Sequence, residues 1–224
     1  MTNLPSYINI VFALTTILIV FLFYKAANHS KTVLIVLLSW LGLQAFIGLS
    51  GFYTKTDTFP PRFVLLPLPP LLLIAGLFIT RKGRQFIDRL DIKTLTILHT
   101  TRIAVELVLL WLFLHRAVPR LMTFEGRNFD ILSGLSAPFI YYFGFIKRTL
   151  PRKVILLWNF ICLALLLNIV FNAILSAPFP IQQFAFDQPN IAVLYFPFVW
   201  LPCCVVPIVL LSHLAAIRQL VAKT

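Results

Sequence analysis

Apolar runs of about twenty residues recur along this chain, each closed by lysine or arginine before the next begins. A helix rises 1.5 Å per residue, so a run of this length matches the ~30 Å hydrocarbon core of a bilayer. Backbone amides in hydrocarbon find no water, and apolar runs without strand-like alternation leave the helix as the only self-satisfied structure. Composition agrees. With 60% apolar and 12% charged residues in 224, and a mean hydropathy of +0.94, there is too little polar surface to cover a soluble globule. The sequence therefore predicts an all-α integral membrane protein. It is expected to form one transmembrane domain over 1–224, a seven-transmembrane-helix bundle with spans at about 7–24, 32–53, 63–80, 95–116, 131–146, 154–175 and 191–217.

The basic excess, 19 Lys and Arg against 7 Asp and Glu, does not indicate a nucleic-acid partner, because the cations punctuate the apolar runs instead of gathering on one face. With the N-terminus outside and the C-terminus inside, thirteen of the nineteen fall inside, five outside, and Arg102 alone lies within a span. All the loops are short, the condition under which positive charge marks the inner side. The expected setting is a plasma membrane, a bacterial inner membrane by this pattern, with the lipid bilayer as first partner. Nothing in the pattern speaks to oligomeric state.

Regularity breaks in three places. Pro67, Pro69 and Pro70 interrupt the outer half of the third span, and Pro197, Pro202 and Pro207 recur in the seventh, so kinked or broken helix is expected at both. These proline segments are expected to flank a cavity, since irregular backbone at membrane depth needs protein or water around it. Between Arg81 and Lys93, apolar Phe86, Ile87, Leu90 and Ile92 alternate with charge, which suits either an amphipathic helix on the inner leaflet or a solvated loop.

The fourth span is the one in which ionisable residues sit well inside the apolar run. At 100° per residue Leu95, His99, Arg102, Glu106 and Phe113 share one narrow face, with Arg102 and Glu106 one turn apart. Charges in hydrocarbon are costly, about 2.5 to 3.5 kcal/mol each on insertion scales, so they face a bundle interior and find partners. One reading is structural: Arg102 and Glu106 neutralise each other, hydrogen-bond Asn168, Asn172 or Gln44, and lock packing. The functional reading makes the stripe a site where Arg102 holds a small polar or anionic ligand and Glu106, with His99, exchanges a proton in ligand binding or transport.

Two further chemistries are open. His99 and His213 lie about one turn inside the inner ends of the fourth and seventh spans, a depth match that suits two axial ligands of a b-type haem and a redox role. The polar outer segment carries His115, Glu125, Arg127 and Asp130, the residue types of a general acid/base site acting on a lipid or envelope substrate. Against that, Asp130 stands where an N-cap of the fifth helix belongs. A seven-helix sensor is the remaining class. A retinal pigment is excluded, because no lysine lies in the interior of the last span. Cys162, Cys203 and Cys204 are spaced for packing, not for a disulfide framework or a metal, and no hydrolase, metalloprotease or phosphate-loop signature occurs.

Overall fold

The computed structural model describes residues 4–58 and 60–222. Every regular element among them is helical. Six helices are long and apolar enough to cross a membrane: Ser6–Ala26, Lys31–Leu49, Arg62–Ile79, Ile92–Leu114, Arg152–Leu175 and Leu201–Val221. A shorter apolar helix covers Ile131–Ile146. The exterior is built for lipid. Ile10, Leu14, Ile17 and Phe21 on the first helix, and Leu157, Phe160, Ile161 and Phe171 on that of Arg152–Leu175, are all exposed, while Arg102, Glu106 and Asp130 are buried. A soluble protein distributes these the other way round.

The first helix, α1 (Ser6–Ala26), turns through Asn28 and His29, both at positive φ, into α2 (Lys31–Leu49), whose N-cap Ser30 accepts from the Val33 amide. α2 stops at Leu49, short of the expected Tyr53, because Gly51 takes the left-handed conformation at φ 71°. The proline break of the third span is real. A 3-10 turn at Arg62–Leu65 precedes α3, which runs only over Leu68–Ile79.

Thr80 then caps α4 (Arg81–Arg89), and the stretch that suited helix or loop is a helix, folded back on α3. Gly83 permits that return, since a Cβ there would lie 2.3 Å from the Leu77 carbonyl oxygen. Asp91 caps α5 (Ile92–Leu98) by accepting from the Lys93 and Thr94 amides, so the fourth span starts earlier than expected. A 3-10 turn at His99–Thr101 joins α5 to α6 (Arg102–Leu114).

α7 is an α-helix only over Ile131–Tyr141 and continues as π-helix to Ile146; α8 covers Arg152–Leu175. The last helix begins at Leu201, not at residue 191, with a π segment over Leu201–Val205 followed by α9 (Val206–Val221). The residues before it, including Ala192, Val193, Leu194, Phe198 and Val199, are buried without forming a long helix.

In the packed bundle α8 lies on α9, α1 on α5 and α6, and α7 against the 3-10 turn at His99. At one end Asp91 donates its amide to the Ala26 carbonyl, and Gln219 donates to the carbonyls of Ile87 and Leu90. Arg218 forks onto Asp88 at 2.8 and 3.0 Å. These bonds tie the α1–α2 turn, α4 and the end of α9 into one layer.

Candidate functional site

The polar stripe faces the bundle interior, with His99, Arg102 and Glu106 each 1–3% exposed. Arg102 lies ten residues after Ile92 and twelve before Leu114, about 15 and 18 Å from the ends of its span at 1.5 Å per residue. Its partner is not Glu106. The guanidinium grips Asp130 with two donors, Nε to Oδ2 at 2.6 Å and Nη2 to Oδ1. A fork on a carboxylate gives two parallel bonds, which add geometric specificity as well as energy.

Asp130 comes within reach because the segment read as an outer loop turns inward. Ala117, Val118, Met122, Thr123, Asn128 and Asp130 are buried, while His115, Glu125 and Arg127 stay exposed. Gly126 makes the sharp turn possible, since a Cβ there would stand 2.2 Å from the Arg120 carbonyl oxygen. Asp130 occupies the N-cap position of α7 as expected, but its side chain caps nothing and goes to Arg102. The acid/base grouping proposed for the outer face is therefore divided: Asp130 is inside, and Arg127 lies over the Phe184 ring at 6.0 Å.

The network continues from Arg102 in one direction to His213 and Asn159. Arg102 Nη1 is 3.0 Å from His213 Nε2, and His213 Nδ1 is 3.0 Å from Asn159 Oδ1. Asn159 donates its amide to the Ile155 carbonyl at 2.9 Å, which turns its oxygen toward the histidine. Guanidinium can only donate, so Nε2 accepts and Nδ1 carries the proton: His213 is the neutral Nδ1–H tautomer. His99 stacks on it with ring centroids 3.8 Å apart and planes 11° apart, and Trp158 contacts both rings from the side.

In the other direction lies Asn128. Its amide nitrogen reaches both Glu106 oxygens at 2.7 Å and the Met122 carbonyl at 3.0 Å, and its oxygen accepts from the Asp130 amide at 3.0 Å. Asn128 thus links the Glu106 carboxyl to the backbone amide of Asp130. One guanidinium serves both carboxyls, in direct contact with only one.

The other expected ligands stand elsewhere. Gln44 accepts from the Tyr53 hydroxyl at 2.6 Å at the far end of α2. Asn168 donates to the Arg127 carbonyl at 2.8 Å, and Asn172 donates to the Asn168 carbonyl at 3.0 Å. The two asparagines do not touch Arg102 or Glu106, yet Asn168 pins the segment that delivers Asn128. The proline segments do line a cavity, with Pro69, Pro70 and Pro207 on its wall, but it is apolar and lies between α2, α3 and the last helix, away from the stripe.

The donor set does not fit a b-type haem. Axial histidines approach an iron from opposite faces of a macrocycle, whereas His99 and His213 are stacked ring on ring, and both His213 nitrogens are engaged. Among the described residues no group of three or more His, Cys, Asp or Glu is placed to hold a metal ion.

Residues 59–221 match the family described as "Domain of unknown function (DUF8737)", a stretch that contains the whole network from His99 to His213. The chain belongs to that family. No curated protein and no solved structure matches it.

Proposed function

We propose that this is a multi-pass membrane protein that binds and moves a small anionic or polar solute, with a proton exchanged at Glu106. The observation that carries the reading is the charge arrangement at mid-bundle: one cation, Arg102, beside two buried carboxyls, Asp130 in its fork and Glu106 held by Asn128, whose oxygen takes the Asp130 backbone amide. Packing alone needs one cation and one anion. The second carboxyl is an exchangeable proton site, because the cluster is neutral when Glu106 carries a proton and singly negative when it does not. Asp130 fills the Arg102 fork as the carboxylate of an anionic solute would, so a solute anion would compete with Asp130 for the guanidinium.

The same reading takes the membrane to be a plasma membrane with the N-terminus outside, and counts seven crossings. Six are the long helices. The seventh is composite, the inward-turning segment before Asp130 followed by α7 and its π extension. It is supported by the basic residues Lys147, Arg148, Arg152 and Lys153 that follow, whose charge belongs on the same side as Arg81, Lys82 and Arg84.

The test has two arms. Infrared titration of the reconstituted protein is expected to show a buried carboxyl C=O band that changes with pH and is absent in Glu106→Gln. A thermal-shift screen of small carboxylates and phosphate is expected to find an anion that stabilises the wild type by mass action but not Arg102→Met/Asp130→Leu. Retention of that stabilisation in a folded double variant removes the solute site, and a band unchanged in Glu106→Gln removes the proton site.

A further inference from the structure

The cavity between α2, α3 and the last helix has about 660 Å³ of space, and its wall includes Phe23, Val36, Trp40, Leu73, Phe86 and Ile208. It opens sideways, because Ile35, Val36, Leu43 and Leu73 along its rims are roughly half or more exposed. Its floor is the π segment. Trp40 donates to the Cys203 carbonyl at 2.9 Å, and Trp200 donates to the Leu41 carbonyl at 3.0 Å. These paired bonds hold α2 to the last helix along one line and leave it standing off from α3.

Along α2 the groove runs from Thr32 to Leu43, about 16 Å of helix rise, close to the depth of one leaflet. A methylene is about the size of a water molecule, whose share of the liquid is about 30 Å³, so the groove holds on the order of twenty methylenes.

Cations flank the lining in sequence. Lys31 adjoins Thr32 at the groove's end, and Lys82 lies one turn before Phe86 on α4, next to Arg81. All three are exposed, and among the described residues none of their side chains has a hydrogen bond or ion pair within the protein. An apolar slot one leaflet deep, with unpaired cations carried beside its lining residues Thr32 on α2 and Phe86 on α4, matches one molecule with a long chain and an anionic head.

We infer that this groove is a specific site for one anionic phospholipid, with one acyl chain in the slot and its phosphate at Lys31, Arg81 and Lys82. The proposal is independent of the solute reading, since it shares no residue with the His99–Asp130 network.

Native mass spectrometry of the full chain, titrated with phosphatidylglycerol, phosphatidylcholine or oleate, tests it. One phosphatidylglycerol is expected to stay bound in preference to phosphatidylcholine. Each of Lys31→Gln, Arg81→Gln and Lys82→Gln should lower that preference about fivefold, the effect of one basic group near an anionic surface. Filling the slot by Val36→Phe, or by Leu73→Phe at the exposed rim if the first variant does not fold, should abolish retention with helicity unchanged by circular dichroism. Brominated-chain phosphatidylglycerol should quench the wild type more than Trp40→Phe, because Trp40 lines the slot. Equal retention of both phospholipids, retention of oleate alone, or an adduct that survives slot filling would overturn the assignment.

Discussion

Arg102 and Asp130 form an ion pair whose two halves are 3% and 8% exposed, and that burial sets the consequences of removing either. A lone deletion leaves an uncompensated charge in the bundle, worth about 3 to 5 kcal/mol, whereas replacing both by apolar side chains of similar size is often close to neutral. Arg102→Met and Asp130→Leu alone are therefore expected to lower the melting temperature sharply in detergent, and the double variant to recover most of the loss. Glu106 supplies the contrast: Arg102→Met/Glu106→Leu should not recover, because it strands Asp130. Gly126→Ala is expected to cost about 1 to 3 kcal/mol, as the backbone of Arg120 must shift to admit the Cβ. That half of the site was legible in the sequence, since the spacing of His99, Arg102 and Glu106 on one helix face needs no knowledge of tertiary structure. The partners were not. Asp130 and His213 are 28 and 111 residues from Arg102, and Asn128 and Asp130 sit in a polar stretch whose composition is the same whether it lies in water or turns into the bundle.

At the scale of elements, prolines were the readable signal. Pro67, Pro69 and Pro70 broke the third span as their missing amides require, whereas the helix starts capped by Thr80 and Asp91 are obscured by apolar content alone. The ends of the second and last spans were misplaced for the opposite reason: apolar residues continue past both ends, and only Gly51 and the buried non-helical stretch before Leu201 decide where helix gives way. The α4–α9 contact gives a pH prediction. The Arg218 donors hold the Asp88 carboxyl below its ordinary value of 3.8, more than its slight burial opposes, with the charges of Arg218 and Arg84 adding to the effect. A carboxyl whose folded value is depressed stabilises the fold fully above its ordinary value and loses that contribution as pH falls below it. Melting temperature should therefore drop more steeply for wild type than for Asp88→Asn on acidification below about pH 4. The difference should be small and shrink in high salt, because both side chains are well exposed.

For the whole molecule, the proposed orientation rests on charge asymmetry across the loops, and the proposed composite crossing before α8 is where it is most open to test. Arg102 near the middle of its span is bonded to Asp130 at the start of α7, so in the proposed topology the chain descends about half the bilayer as irregular backbone before the helix takes over. Such backbone is tolerated at depth only when protein covers it, and buried Met122, Thr123 and Asn128, with Asn168 donating to the Arg127 carbonyl, supply that cover. If the segment crosses, its two flanks lie on opposite sides. Single cysteines at exposed Gln85, Glu125, Thr149 and Asp187, in a background with Cys162, Cys203 and Cys204 replaced by alanine, report this directly through an impermeant maleimide on intact cells. Positions 125 and 187 are expected to label, and positions 85 and 149 only after permeabilisation. Labelling of 125 and 149 from the same side would show that α7 returns to the face it left, which would leave six crossings and reverse the orientation of every helix after it.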